Sequence, residues 1–259
     1  MSLITRMPAI FYGHGSPMNA LDDNVYTRVW QSFADRFARP KAILAISAHW
    51  TTQGTQITAM PAPRTIHDFG GFPQALFDVR YPAPGDPSLA ARIAEILAPL
   101  PVKMDHDWGL DHGTWSVLIK TYPQADIPVI QLSLDMTKDA AHHFAIGQKL
   151  ASLRDEGVMI IASGNVVHNL AQMDPRSSGY DWALRFNSVM RAAIVAGQFD
   201  QVVNYLSFGS DASLSVSTSE HFLPLLYVLG ARLADEPIDI VADGIELGAI
   251  SMMSVVIGE

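Results

Sequence analysis

Three apolar runs in this 259-residue chain lead directly to a histidine. They are Ala9-Ile10-Phe11-Tyr12-Gly13-His14-Gly15-Ser16-Pro17, Ala42-Ile43-Leu44-Ala45-Ile46-Ser47-Ala48-His49-Trp50 and Ile160-Ile161-Ala162-Ser163-Gly164-Asn165-Val166-Val167-His168-Asn169. Imidazole is a common ligand for divalent metals, and a chain without cysteine must hold any metal through His and carboxylate. The first two runs read as buried strands that stop at His14 and His49. Ligands of α/β sheets collect at that C-terminal edge, so the pattern points to a metal site.

Glycines on both sides of His14 allow a sharp exit from the strand or a close approach to a ligand. Trp50, beside His49, is a wall residue suited to an aromatic pocket. His168 closes a Ser-Gly-Asn turn and is expected near the first turn of the next helix. The N-cap types Ser217-Thr218-Ser219 place Glu220 and His221 in the first turn of a helix containing Phe222 and Leu223, with either side chain available as a ligand. His112, in Leu110-Asp111-His112-Gly113-Thr114-Trp115, has an adjacent acid, and histidine as a residue type suits acid/base work near neutral pH. His67, in Ile66-His67-Asp68-Phe69-Gly70-Gly71-Phe72, reads equally well as part of a lid or as an exposed loop residue. His142 and His143, in a helical stretch, and His106, between two aspartates, read as structural or solvated.

These side chains need a scaffold. Helical periodicity covers roughly 24–38, 87–98, 138–154, 180–206 and 219–229, and further strands are expected at 127–133, 158–163, 238–242 and 249–256. Strands alternating with helices predict a single-domain α/β fold over 1–259, with a mixed, mostly parallel central sheet flanked by helices. The last two strands are separated by a short turn at Asp243-Gly244 and should pair antiparallel. The Gly/Pro-rich stretch 51–87 is too long for a plain connector, and long ordered loops are usually functional.

Composition removes several alternatives. A net charge of -9 with 17 dispersed basic residues argues against nucleic-acid and anionic-membrane partners. The N-terminus lacks the features of a signal peptide, and the most apolar later stretch, 222–230, is about half a bilayer span and contains Pro224. A cytoplasmic protein is the expectation. The order Gly-His-Gly-Ser-Pro is not a nucleophile elbow, and no phosphate-binding or dinucleotide glycine motif follows the first strand.

Five motifs in order, Gly13-His14-Gly15-Ser16-Pro17, Ser47-Ala48-His49-Trp50, Leu110 to Trp115, Ser163 to Leu170 and Ser219 to Leu225, resemble those of the class III (LigB-type) extradiol ring-cleavage dioxygenases, in particular the 4,5-DOPA dioxygenase extradiol-like subfamily. The resemblance implies a non-haem iron(II) centre at which a catechol such as L-DOPA is opened by O2. It implies that His14 and His49 are ligands, with His221 favoured as the third and Glu220 as its alternative. His168 would be an acid/base residue or a fourth ligand when zinc is bound, and His112 would orient the substrate; Trp50 and His67 are the candidate substrate contacts. Neutral imidazoles also suit Zn(II), which cannot activate dioxygen by redox chemistry, so zinc in an isolated sample would not decide the function. The expected partners are a small-molecule catechol and O2, with self-association left open. A zinc hydrolase and a non-catalytic binding module on the same fold are the competing readings.

Overall fold

The computed structural model describes residues 6–258; Met1–Thr5, on which most of the signal-peptide expectation falls, and Glu259 lie outside the described residues. The first half runs β1 (Ala9–Gly13), α1 (Val25–Arg36), β2 (Ala42–Thr52), β3 (Thr55–Thr58), α2 (Gln74–Phe77), α3 (Pro87–Leu97), β4 (Val102–Asp105) and α4 (His112–Thr121). The middle adds β5 (Val129–Asp135), α5 (Ala140–Leu150), β6 (Val158–Gly164), α6 (Asp181–Val195) and α7 (Phe199–Val203). The chain closes with α8 (Gly209–Ser215), α9 (Leu223–Gly230), β7 (Ile238–Ala242), β8 (Ile245–Glu246), β9 (Ile250–Ser251) and β10 (Ser254–Ile257).

The main sheet has the order β4-β3-β5-β2-β6-β1-β10-β7. Its centre, β5-β2-β6-β1, is parallel, while β10 and β7 join antiparallel at one side and β3 meets β5 antiparallel at the other. This is the expected mixed, mostly parallel α/β sheet. Alternate strand residues fill two cores. Phe11, Leu44, Ile46 and Ile160 pack with α3, α5, α6 and α9 on one face, and Tyr12, Ile43, Ala45 and Ile161 pack with α1 and α4 on the other. With both faces covered, the central strands become continuous apolar runs.

Several boundaries differ from the sequence expectation. β2 continues through His49 to Thr52, and its register with β5 breaks between Ile46 and Thr51. Ser47 explains the break, because its Oγ accepts the His49 amide at 3.2 Å in place of a ladder bond. The last strand is divided: β9 pairs with β8, and β10 alone joins the main sheet. Between them Met252 and Met253 cross over Gly13 so closely that a Cβ there would lie 2.6 Å from the Met253 carbonyl oxygen. The helix foreseen over 180–206 ends at Val195, followed by Gly197 with φ +68°. That expected at 219 starts at Leu223, which leaves Glu220 and His221 in the preceding turn. His168 lies on a bridge to Val216 and Ile250, ahead of a short 3-10 turn at Leu170–Gln172.

Candidate metal centre

The parallel strands deliver their C-terminal ends side by side. Gly13 pairs with Gly164, Ser47 pairs with Ser163, and the His14 amide donates to Gly164 O at 3.1 Å. The turn after β6 then anchors a distant segment, since the Asn165 amide donates to the His221 carbonyl at 2.8 Å. No side chain fits at Gly164, where a Cβ would run into that same carbonyl. His168 is held by two hydrogen bonds: its amide donates to Ser215 O at 2.8 Å, and its carbonyl accepts the Ser217 hydroxyl at 3.2 Å.

Five imidazoles converge here: His14, His49, His112, His168 and His221. Nε2 of His14 and Nε2 of His49 are 3.3 Å apart. Ring centroids are 5.1 Å apart for His14 and His49, 5.4 Å for His14 and His221, and 5.1 Å for His49 and His221. Ligands at about 2.0–2.1 Å from one tetrahedral ion have nitrogens about 3.4 Å apart and ring centroids about 5 Å apart, which is the centroid spacing of these three rings. Each opposite nitrogen meets an oxygen: Nδ1 of His14 lies 2.9 Å from Ser163 Oγ, that of His49 3.3 Å from Asp68 Oδ2, and that of His221 3.1 Å from Glu220 Oε1. Such outer partners orient metal-binding histidines.

Proximity also groups ring nitrogens of His14, His49 and His112 within 4.8 Å, and donors of His168, Glu220 and His221 likewise. Spacing separates the candidates. The His112 ring lies 3.8 Å from that of His49 but 5.9 Å from that of His14, which is less even than the arrangement of His221. His168 stacks flat on His221, with centroids 3.4 Å apart and planes 7° apart.

Burial, and then the neighbouring imidazoles, hold His14 and His221 well below the usual histidine range. Burial lowers His49 to about 3 and His168 to about 4. These rings are uncharged at neutral pH, with lone pairs free for a cation.

Beneath them sits Asp111, fully buried, which caps α4 by accepting the Thr114 amide at 3.2 Å. It also accepts Ser47 Oγ at 2.6 Å and the Gln131 side-chain amide. Burial, reinforced by the charge of Asp68, pushes its carboxyl up. Gly113 lets α4 start against β2, since a Cβ would stand 2.8 Å from Cδ2 of His49.

Trp50 is buried and stacks on Trp108 at 5.7 Å, and the Trp108 indole N–H points to Asp111 Oδ2 at 3.4 Å. His67 turns towards the Val79 carbonyl, 3.0 Å from its Nε2, among Phe69, Phe77 and Trp115. The loop meets the histidines instead through Asp68 and Phe69, whose ring is 5.4 Å from that of His112. Sequence reasoning passed over Ser163, Asp68, Asp111 and Gly113 as site-building residues. The adjacency of Asp111 to His112 was the available signal for Asp111, and nothing local pointed to Asp68.

Residues 3–258 match the family model described as the catalytic LigB subunit of aromatic ring-opening dioxygenase. The chain is 58% identical over 260 aligned positions to a 4,5-DOPA dioxygenase extradiol of Escherichia coli (strain K12), covering 98% of this chain and 96% of the relative. A 4,5-DOPA dioxygenase extradiol of Beta vulgaris is 39% identical over 248 positions, 93% of this chain and 92% of the relative. Among solved structures, that of an uncharacterised protein of Escherichia coli K12 matches with a TM-score of 0.86 and 52% identity, covering 98% of this chain and all of that one.

Proposed function

Because the chain belongs to the LigB family of aromatic ring-opening dioxygenases, and so to the class III extradiol enzymes, we propose that residues 1–259 form one catalytic unit performing 4,5-cleavage of L-DOPA or a related catechol with O2. The observation that carries the metal reading is the even spacing of His14, His49 and His221, each with Nδ1 beside an oxygen. These three would hold one divalent ion, with Glu220 orienting His221. Iron(II), when bound, would supply a redox-capable centre for the reaction of a catechol with O2; zinc would suit the same donors without that capacity.

His168 has the features of a general acid/base. It is uncharged, lies against a ligand ring, and can take a catechol hydroxyl proton on an imidazole nitrogen. Stacking on His221 supports this role over that of a fourth ligand. His112, at the first position of α4, faces the same space and orients the substrate. Phe69 offers an apolar wall for the ring, backed by His67, and Trp50 supports the floor through Trp108. Among the described residues no helix is long and apolar enough to cross a membrane.

The test is anaerobic loading with Fe2+, followed by oxygen and a panel of catechols that includes L-DOPA. Iron-loaded protein should consume oxygen and form a yellow ring-opened product, and zinc-loaded protein should do neither. Equal oxygen uptake by both forms overturns the iron reading, and hydrolysis by the zinc form alone favours a hydrolase.

A further inference from the structure

Lysine and arginine are missing from every segment that builds this site. The stretches 7–27, 42–63, 65–79, 104–119, 155–175 and 192–231 contain neither, and between them they carry all five converging histidines. The two arginines that flank the loop before α2 are held on backbone carbonyls. Arg64 Nε donates to Trp108 O at 3.0 Å, and Arg80 Nη1 donates to Phe77 O at 2.6 Å and to Val79 O at 2.8 Å.

Two carboxylates do reach the cluster. Glu220 has an oxygen within 4.8 Å of ring nitrogens of His168 and His221. Its Oε1 accepts Thr218 Oγ1 at 2.7 Å and lies 3.1 Å from Nδ1 of His221, whereas Oε2 has no protein partner among the described residues. Asp68 accepts the backbone N–H of His112 at 2.9 Å. Among the described residues neither carboxylate is ion-paired to a Lys or Arg. The Glu220 side chain is 24% exposed against 9% for His221, and that of Asp68 is 18% exposed against 6% for His112, so each acid lies nearer to solvent than the ring it adjoins.

A cleft bounded by charge of one sign concentrates ligands of the other sign and repels its own. A catechol whose hydroxyls enter the histidine cluster presents its ring substituent outward, towards these acids. An ammonium there finds Glu220 Oε2, an acceptor with no competing donor. A carboxylate there finds two like charges and no cation.

We propose that this site selects catechols whose side chain carries an ammonium group, and that Glu220 is the specificity-determining residue, with Asp68 adding to the same field. The proposal rests on the catechol reading of the site and adds the sign of charge on the part of the substrate that does not react. A zwitterionic amino-acid side chain falls between the amine and the acid.

The test uses three catechols that differ in the group ending a short ring substituent: dopamine (ammonium), ethylcatechol (neutral) and dihydroxyphenylpropionate (carboxylate). In iron-loaded protein kcat/KM should fall in that order, by about 10-fold from amine to acid, with the difference carried by KM and shrinking as salt is raised. Calorimetric binding to zinc-loaded protein, which needs no turnover, should give the same order. Glu220→Gln keeps the shape and removes the charge, and it should narrow the amine-to-acid ratio to about threefold. Dividing each value by that of the neutral catechol in the same protein cancels any general loss of activity or binding in the variant. Equal binding of amine and acid, or tighter binding of the acid, overturns the proposal, and a ratio unchanged in Glu220→Gln overturns the assignment to Glu220. If iron-loaded protein opens none of the three, the dioxygenase reading fails while calorimetry still decides the charge preference; if none of them binds, both fail.

Discussion

Replacing Gly113 by alanine sets helix propensity against packing at the floor of the site. Gly113 is the second residue of α4, where alanine favours the helix by about 1 kcal/mol over glycine. The added Cβ would stand 2.8 Å from Cδ2 of His49, and closer still to Ser47 Oγ. Ordinary contact begins at 3.4 Å, so the His49 ring must retreat by the difference between 3.4 and 2.8, about 0.6 Å. Ser47 has little freedom to yield, since its hydroxyl donates to Asp111 at 2.6 Å and accepts the His49 amide at 3.2 Å. Overpacking of this kind costs about 1–3 kcal/mol, which leaves a net loss of roughly 0–2 kcal/mol after the helix gain. A metal site tolerates ligand displacement of only about 0.2 Å, so affinity should suffer more than folding. The expected result is a rise of about 10–100-fold in the Zn2+ dissociation constant, measured by chelator competition, with a small drop in the Tm of the metal-free protein. Parental zinc affinity in Gly113→Ala would refute the assignment of His49 as a ligand, and a variant more stable by the full helix increment would refute the packing.

His14→Ala and His49→Ala should each hold metal well below one equivalent by elemental analysis while keeping the parent's circular dichroism; full occupancy in both would remove the site. His168→Gln should retain iron and bind catechol but lose about 10²–10⁴-fold in turnover, and loss of iron instead would make His168 a ligand. Metal-free protein should lose stability on acidification. The folded-state values of His49 and His168, about 3 and about 4, lie below the ordinary value of 6.5, so the unfolded chain takes up protons first as pH falls from 6.5 towards those values. Stability from these rings is complete above about pH 6.5 and declines below it; a Tm that is flat from pH 7.5 to 4.5 would contradict their burial as neutral groups.

The central strands were legible because burial on both faces writes itself as unbroken apolar sequence, as in Ala42–Ile46 and Val158–Ala162. His14, His49, His112, His168 and His221 stood out for the same reason: each adjoins a pattern that locates it near a strand or helix end. β3 and β4 were not legible, since each is four residues long and at the margin of the sheet, where a few alternating side chains carry little signal. The start of α4 at His112 fell outside the helical periodicity of the sequence. Its determinant is the cap by Asp111, whose other partners, Ser47 and Gln131, lie far away in sequence. Asp68 illustrates the same limit, because nothing local to 66–72 announces a contact with residues 49 and 112.

The place of β10 bears on how the protein is made. Ser254 Oγ accepts the amide of Gly13, 241 positions earlier, and the Trp30 indole N–H points to the same oxygen at 3.4 Å. The neighbouring residues Ala249 and Ser251 exchange backbone bonds with Asn169 and Val167, on either side of His168. A nascent chain on the ribosome therefore carries His14 and His49 long before it has synthesised the residues that brace them. Contacts of such sequence separation form late and slowly. Metal loading is thus expected to follow release of the finished chain, and ribosome-bound fragments lacking 249–257 should not retain the ion.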